Sequence, residues 1–441
     1  MLAYCTIFLN NLKVVQVPYF SLKRDTIFKS MEKIEVKSGK FAALKYRDFR
    51  LLWIGLLISN IGSQMQFAAI NWHIYIITHS AIALGLIGLS RFLPVTVFAL
   101  FAGAVADSHN RRKILFITQS ALAGLSFILA YVTFVHAVNP MIIYIITALS
   151  AVAIAFDSPP RQAIVPSLVH KDHLTNAMSL NTIMFQISMV VGPAISGLVI
   201  KELGVGSIYL INAVSFLAVI IALILMQTSG EIEGKPAKVS FKAISEGLVF
   251  IKSKTIIWST MLLDFFSTFF SSANSLLPIF AESILHVGPV GFGFLYAAQS
   301  IGAVLTGYLI AQAGKITNQG KLLLFGIFLY GFATVIFGFS GYVWLSFLAL
   351  FLIGAGDSIS TIIRSTARQI LTPDYIKGRM MSINMIFYMG GPQLGEFEAG
   401  LLAGLIGAPL SVVAGGLGTL IIVGFMAVKI PLLRDYSGEK E

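Results

Sequence analysis

The sequence is short of charge. Of its 441 residues, 31 are Lys or Arg and 20 are Asp or Glu, so 12% are charged, where soluble domains average roughly 25%. The deficit runs along nearly the whole chain, which excludes a soluble domain held by a single anchor. Cysteine is almost missing as well. Cys5 stands alone, which excludes an intrachain disulfide and any CxxC metal or redox motif. There is no HExxH, no GxSxG and no paired Cys/His cluster, so nothing supports an integral membrane enzyme. A phosphate loop is lacking too. "GKITNQGKLL" has one residue too many between its glycines, and Leu322 stands where Ser or Thr must bind Mg²⁺. No bound cofactor is expected, and the energy for any pumping must come from an ion gradient, with protons the first choice.

What the chain does have is long apolar runs. Hydrophobic residues make up 56% of it, and runs of about 20 residues recur, each long enough to cross a bilayer as a helix. Twelve spans are expected, near 51–77, 82–106, 114–136, 141–167, 175–200, 206–227, 257–281, 288–313, 321–340, 343–367, 379–405 and 410–431. The net charge of +11 is a topology signal rather than a nucleic-acid footprint. Only Lys201 falls on the odd-numbered side of this ladder, while the first 50 residues hold ten Lys and Arg. That asymmetry places both termini in the cytoplasm of a multi-pass protein of the plasma (inner) membrane. Residues 1–50 read as a cytoplasmic extension without a signal peptide, with Met31 an alternative start to Met1. Residues 228–256 form a central loop with an amphipathic stretch from Val239 to Ile251, and 432–441 a cytoplasmic tail. Between these lie bundles of six spans over 51–227 and 257–431.

The two halves match. At a shift of 203 residues "NAMSLNTIMFQISMVVGPAISGL" (176–198) falls on "RMMSINMIFYMGGPQLGEFEAGL" (379–401). Identities include Met178/Met381, Ser179/Ser382, Asn181/Asn384, Gly192/Gly395 and Gly197/Gly400, and Arg161 falls on Arg364. An even number of spans per half makes this a parallel repeat, one of the architectures of secondary transporters. The expected fold class is therefore an all-α membrane protein with twelve transmembrane helices in two pseudo-symmetric six-helix bundles.

"GAVADSHNRRKIL" (103–115) resembles the signature loop of the major facilitator superfamily: a glycine, three residues, an aspartate, then a basic cluster. It departs where Ser108 replaces the usual arginine and Asn110 the usual glycine. "DSPPRQAIVPSLV", "NAMSLN" and "GPQLGEFEAG" resemble the branch of enterobactin exporters and macrolide-type efflux proteins. The resemblance covers about residues 45 to 431. It implies a gating role for Asp107, holding the inner ends of the halves together. On the residues themselves, Gly103 with Ala104 and Ala106 lets the second helix approach a neighbour closely. Arg111, Arg112 and Lys113 then anchor the loop to anionic lipid, and a simple topology-setting turn remains the alternative. "VVGPAISG", with Gly192, Pro193 and Gly197, resembles a helix-five motif of drug–proton antiporters. Close packing alone is the other reading.

Ionisable residues inside the bilayer cost roughly 2.5–3.5 kcal/mol each on insertion scales and mark function by default. Asp157 and Arg161 lie four apart on one helix face, and Asp357 and Arg364 seven apart on another. Both sets read as ion pairs bracing helices at a gate, with a share in substrate binding as the competing use. Arg91, Asp264, Glu396 and Glu398 have no partner legible in the sequence. They are expected in the transport pathway, the three acids as candidate proton carriers. Asn60, Gln64 and Asn71 recur near one face of the first span, with Trp72 and His73 above them. Phe265 and Phe269 are spaced to make an aromatic ledge, which suits an amphipathic or aromatic small-molecule substrate; packing or lipid contact is the alternative. His73 is expected to be a structural hydrogen bonder. His170 and His173 flank Asp172 in a loop, too thin a constellation for a metal site.

Together these features predict a secondary active transporter working as a monomer in the bilayer, with no nucleic-acid partner. The leading reading is a proton-coupled exporter of siderophore-like or drug-like molecules. An importer or lysophospholipid-type carrier of the same fold, or a non-transporting receptor, are the alternatives.

Overall fold

The computed structural model describes residues 41–438 except 107, 231–240 and 315. A short 3₁₀ turn, Ala42–Lys45, leads into six long helices: α1 (Arg47–Thr78), α2 (Ala81–Ala106), α3 (Arg111–Phe134), α4 (Pro140–Leu168), α5 (Leu174–Leu203) and α6 (Val205–Leu225). The amphipathic helix α7 (Phe241–Ser253) follows, then α8 (Thr255–Phe270), α9 (Gly288–Gln312), α10 (Gln319–Phe339), α11 (Val343–Leu371), α12 (Asp374–Ile406) and α13 (Ala408–Lys429). Among the described residues, ten segments are long and apolar enough to cross a membrane. Helices α1 and α12, 32 and 33 residues long and richer in polar side chains, run beside them. The protein is an all-helical, multi-pass membrane protein.

Local chemistry sets the corners. Asn110 caps α3 by accepting from the Lys113 backbone N–H, and Asn139 caps α4 from Ile142, with Pro140 in the first turn where no donor is missed. Between α5 and α6 the chain turns at Gly204 (φ +79°), and between α12 and α13 at Gly407 (φ +86°). Both need a backbone that L side chains rarely adopt. They are 203 residues apart, the same shift as the sequence repeat.

One expectation needs correction. The seventh span is not one helix. It stops at Phe270 and continues as a 3₁₀ turn (Ala273–Leu276), a short helical piece and a π turn (Phe280–Ile284). Ser271 to Ser275 compete for backbone hydrogen bonds. The carbonyl freed at Ser271 accepts from the Tyr330 hydroxyl at 3.1 Å, and the Ser271 hydroxyl meets Thr419 Oγ1 at 2.7 Å. Residues 43–50 and the start of the tail pack against the helices. The Ala43 N–H donates to Asn176 Oδ1 and Phe49 is buried. At the other end Gly320 N–H donates to the Tyr436 carbonyl.

The apolar core is divided unequally. At the end away from the chain termini (the far end), one cluster joins both halves, with Trp72, Tyr75 and Leu84 beside Leu277, Phe280, Phe292 and Ala403. At the end carrying the termini (the terminal end), the clusters are separate. One runs through residues 43 to 226, while the others lie within 251–436. The halves are thus closed together at the far end and packed independently at the terminal end.

Candidate functional site

The far-end closure is built on glycine. Gly197 of α5 lies against Gly293 of α9, so close that a Cβ on Gly197 would sit 3.1 Å from the Gly293 Cα. Gly400 of α12 meets Gly85 of α2 in the same way, its Cβ position 2.6 Å from the Gly85 Cα. Gly192 packs on α1 at Gln64, and Gly395 packs on α8 at Phe269 and on Ser272 just beyond its end. Glycines paired by the repeat therefore face repeat-related helices. Small residues let helix backbones approach where the bilayer offers no hydrophobic drive. Pro193 lies in the same seam, its carbonyl against Gly293. Aromatic rings fill the remainder. Trp72 packs on Phe292 with centroids 5.4 Å apart, Phe67 meets Tyr296 edge-on, and Tyr75 shares a 2.6 Å hydrogen bond with Ser283.

Just inside this seam, about 15 Å from the far ends of their helices at 1.5 Å per residue, Arg91 of α2 and Glu396 of α12 face each other. Their nearest charged atoms are 3.8 Å apart. That separation is an ion pair but not a hydrogen bond, and Arg91 Nη1 and Glu396 Oε2 have no hydrogen-bond partner although buried. The guanidinium lies over the Phe67 ring at 3.7 Å, a cation–π contact that holds it from the other side. Gly88 leaves room for Glu396, since a Cβ there would come 2.7 Å from the Glu396 Cβ. Neither charge has a partner within its own helix. The partner comes from the other half.

A second group of charges lies within the second half. Asp264 of α8 bonds Arg364 of α11 at 2.9 Å and has Arg368 at 3.8 Å. Arg364 is 2% exposed. Asp357 stands 3.8 Å from the same guanidinium and is partly open, and Arg368 also donates to Asn384 of α12. The expected partner of Arg364 was Asp357 alone. Asp264, expected free in the pathway, is instead the nearer partner, because α8 and α11 approach each other at this level. In the first half Asp157 pairs with Arg161 and accepts from Thr118 and Gln119 at 2.8 Å each. Glu398 is partly exposed and makes no ion pair among the described residues.

Other sequence candidates fare differently. Phe265 and Phe269 stack as a ledge, centroids 6.0 Å apart and 12° from parallel. Trp72 does not line an open pocket with them; it is 5% exposed in the far-end core. Asn71 is buried too, while Asn60 donates to the Leu56 carbonyl of its own helix and Gln64 is partly exposed beside Gly192. His73 bonds the Tyr209 hydroxyl at 2.9 Å. Asp107, the residue with the expected gating role, lies outside the described residues. Gly103 was expected in close helix contact, yet nothing lies within 4 Å of its Cβ position, because the halves are not packed together at that end. Arg111 and Arg112 have partners within the protein. They donate to the Ala163, Ile224 and Thr228 carbonyls at the terminal ends of α4 and α6, where a helix favours a cation. Sequence reasoning missed Phe67, Tyr296, Gly85 and Arg368. Only Arg368, a charge one turn from Arg364, left a signal that could have been read.

Two helical bundles closed at one end, with opposite charges meeting across their interface, define the class: a membrane transporter of the major facilitator superfamily. Residues 38–439 match the family model described as transmembrane secretion effector, and the chain belongs to that family. Similar proteins include the staphyloferrin A transporter of Staphylococcus aureus, 26% identical over 84% of this chain and 92% of that protein. Macrolide efflux protein A of Streptococcus pyogenes is 22% identical over 89% and 98%, and the enterobactin exporter EntS of Escherichia coli 23% over 88% and 93%. Among solved structures, a bacterial homologue of the iron transporter ferroportin in an inward-facing state shares the fold. Its TM-score is 0.66 at 17% identity, covering 88% of this chain and 99% of that one.

Proposed function

We propose that the chain is a proton-coupled exporter of siderophore-like or drug-like small molecules, working by alternating access as a monomer in the plasma (inner) membrane. The basic residues crowded at the terminal end favour a cytoplasmic location for that end, which makes the present state inward-open and outward-sealed. The Phe265–Phe269 ledge offers a wall for an aromatic or amphipathic substrate. The relatives that carry siderophores and macrolides support the same substrate class.

The observation that carries the reading is the Arg91–Glu396 pair. It joins the two halves directly beneath the far-end seal, so it forms and breaks with the conformational change. With the far end open, α2 and α12 part and Glu396 takes a proton. Closure brings Arg91 against the carboxylate, and the proton leaves toward the cytoplasm. Substrate entering from the cytoplasm drives the reverse change. Asp264, already fixed by two arginines, is a brace in this scheme, and Glu398 is a second acid for the pathway.

The test is uptake of a labelled catecholate siderophore and a labelled macrolide into inside-out vesicles. Accumulation is expected to collapse with a protonophore, and Glu396→Gln is expected to abolish gradient-driven accumulation at normal expression. Accumulation that ignores an imposed pH gradient refutes the proposal.

A further inference from the structure

The basic triplet of residues 111–113 is used unevenly. Arg111 and Arg112 are committed to helix-end carbonyls. Lys113, one residue on, is exposed and makes no ion pair among the described residues. It stands at the mouth of a groove of about 980 Å³ between α3 and α4 on the surface of the first bundle. The groove is apolar along most of its length, with Ile117, Ile128 and Phe156 among its walls, and its polar residues are concentrated at one end. That end carries Ser108, His109, Asn110 and Lys113. Its depth comes from Ala121, Gly124 and Ala153, and nothing lies within 4 Å of where a Gly124 Cβ would point. From Lys113 to Ile128 is fifteen residues of helix, about 22 Å at 1.5 Å per residue, or most of the hydrocarbon thickness of a bilayer.

We propose that this groove is a binding site for an anionic phospholipid, with an acyl chain against Gly124 and the phosphate headgroup at Lys113. A long apolar channel with an exposed lysine at the membrane-boundary end complements an acyl chain joined to a negative headgroup. The floor of the groove includes Thr118, whose hydroxyl donates to Asp157 at 2.8 Å. Lipid in the groove therefore lies one hydrogen bond away from Asp157. The inference does not depend on the direction of transport or on its coupling.

The experiment compares phosphatidylglycerol with phosphatidylcholine of identical chains, added to the delipidated full-length protein. Bound lipid is counted by native mass spectrometry. Phosphatidylglycerol is expected to be retained preferentially, and Lys113→Gln to cut that preference about fivefold, the worth of one basic residue near anionic lipid. Lys171→Gln, an exposed loop substitution in the same bundle, leaves the preference unchanged. Gly124→Leu, whose Cβ meets nothing within 4 Å, projects into the groove and is expected to remove one bound lipid of either kind, its folding checked by gel filtration. Equal retention of the two lipids, an unchanged preference in Lys113→Gln, or an unchanged lipid count in Gly124→Leu overturns the proposal.

Discussion

Replacing Asp264 with asparagine separates a brace from a proton carrier. In the native chain Asp264 is 2.9 Å from a guanidinium that is 2% exposed and 3.8 Å from a second that is 6% exposed. The neutral amide would leave Arg368 without an ion pair among the described residues and Arg364 with Asp357 alone, which is 42% exposed and 3.8 Å away. Removing one member of a buried pair costs about 3–5 kcal/mol, mostly the penalty of the charge left behind. At 1.4 kcal/mol per decade that is on the order of a hundred- to several-thousand-fold in the ratio of folded to unfolded protein. The expected result is a large fall in the thermal midpoint of the purified protein, read by tryptophan fluorescence in detergent. Asp264→Asn combined with Arg364→Gln restores charge balance in the core and recovers more than half of the loss. A single variant that melts within a degree of wild type, yet fails to respond to a pH gradient, would falsify the assignment and make Asp264 a proton carrier.

Further outcomes follow from the same geometry. Glu396→Gln costs less stability than Asp264→Asn in the same melt, because the native pair is 3.8 Å long and unbonded; equal losses contradict the contrast. Gly400→Leu drives a side chain into Gly85 and keeps the far end from closing, so spin labels across that end report longer distances than in wild type. Gly103→Leu, whose Cβ meets nothing within 4 Å in the present state, is expected to leave the stability within about 0.5 kcal/mol of wild type, as surface substitutions do; a severe loss shows the terminal end is normally closed. Tyr75→Phe removes the 2.6 Å bond to Ser283 and loosens the seal by roughly 0.5–1.5 kcal/mol, seen as increased labelling of a cysteine placed at Ile279, which lines the same far-end pocket as Tyr75.

Some of this was open to sequence reasoning, for physical reasons. A helix must keep its contact face in register, so Gly192, Gly197 and their partners at a shift of 203 announced that both halves use the same surfaces. Pairs within one helix were also legible, since residues four apart share a face; Asp157–Arg161 is one. Partners on different helices were not. Nothing in the spacing of residues 91 and 396, or 264 and 364, says which helices become neighbours, and three charges left without partners were in fact paired. Trp72 misled for the same reason: its helix face could be inferred, but not the Phe292 ring opposite. The interruption after Phe270 hid inside an apolar run, where hydropathy is blind to a cluster of serines that diverts backbone bonding.

The glycine seam has a mechanical consequence. Its surfaces adhere mainly through shape, with few directional bonds crossing from one half to the other, so prising them apart strands few donors or acceptors. Such a joint can release and re-engage repeatedly with little penalty beyond wetting the parted faces, as a hinge that must swing on every turnover requires.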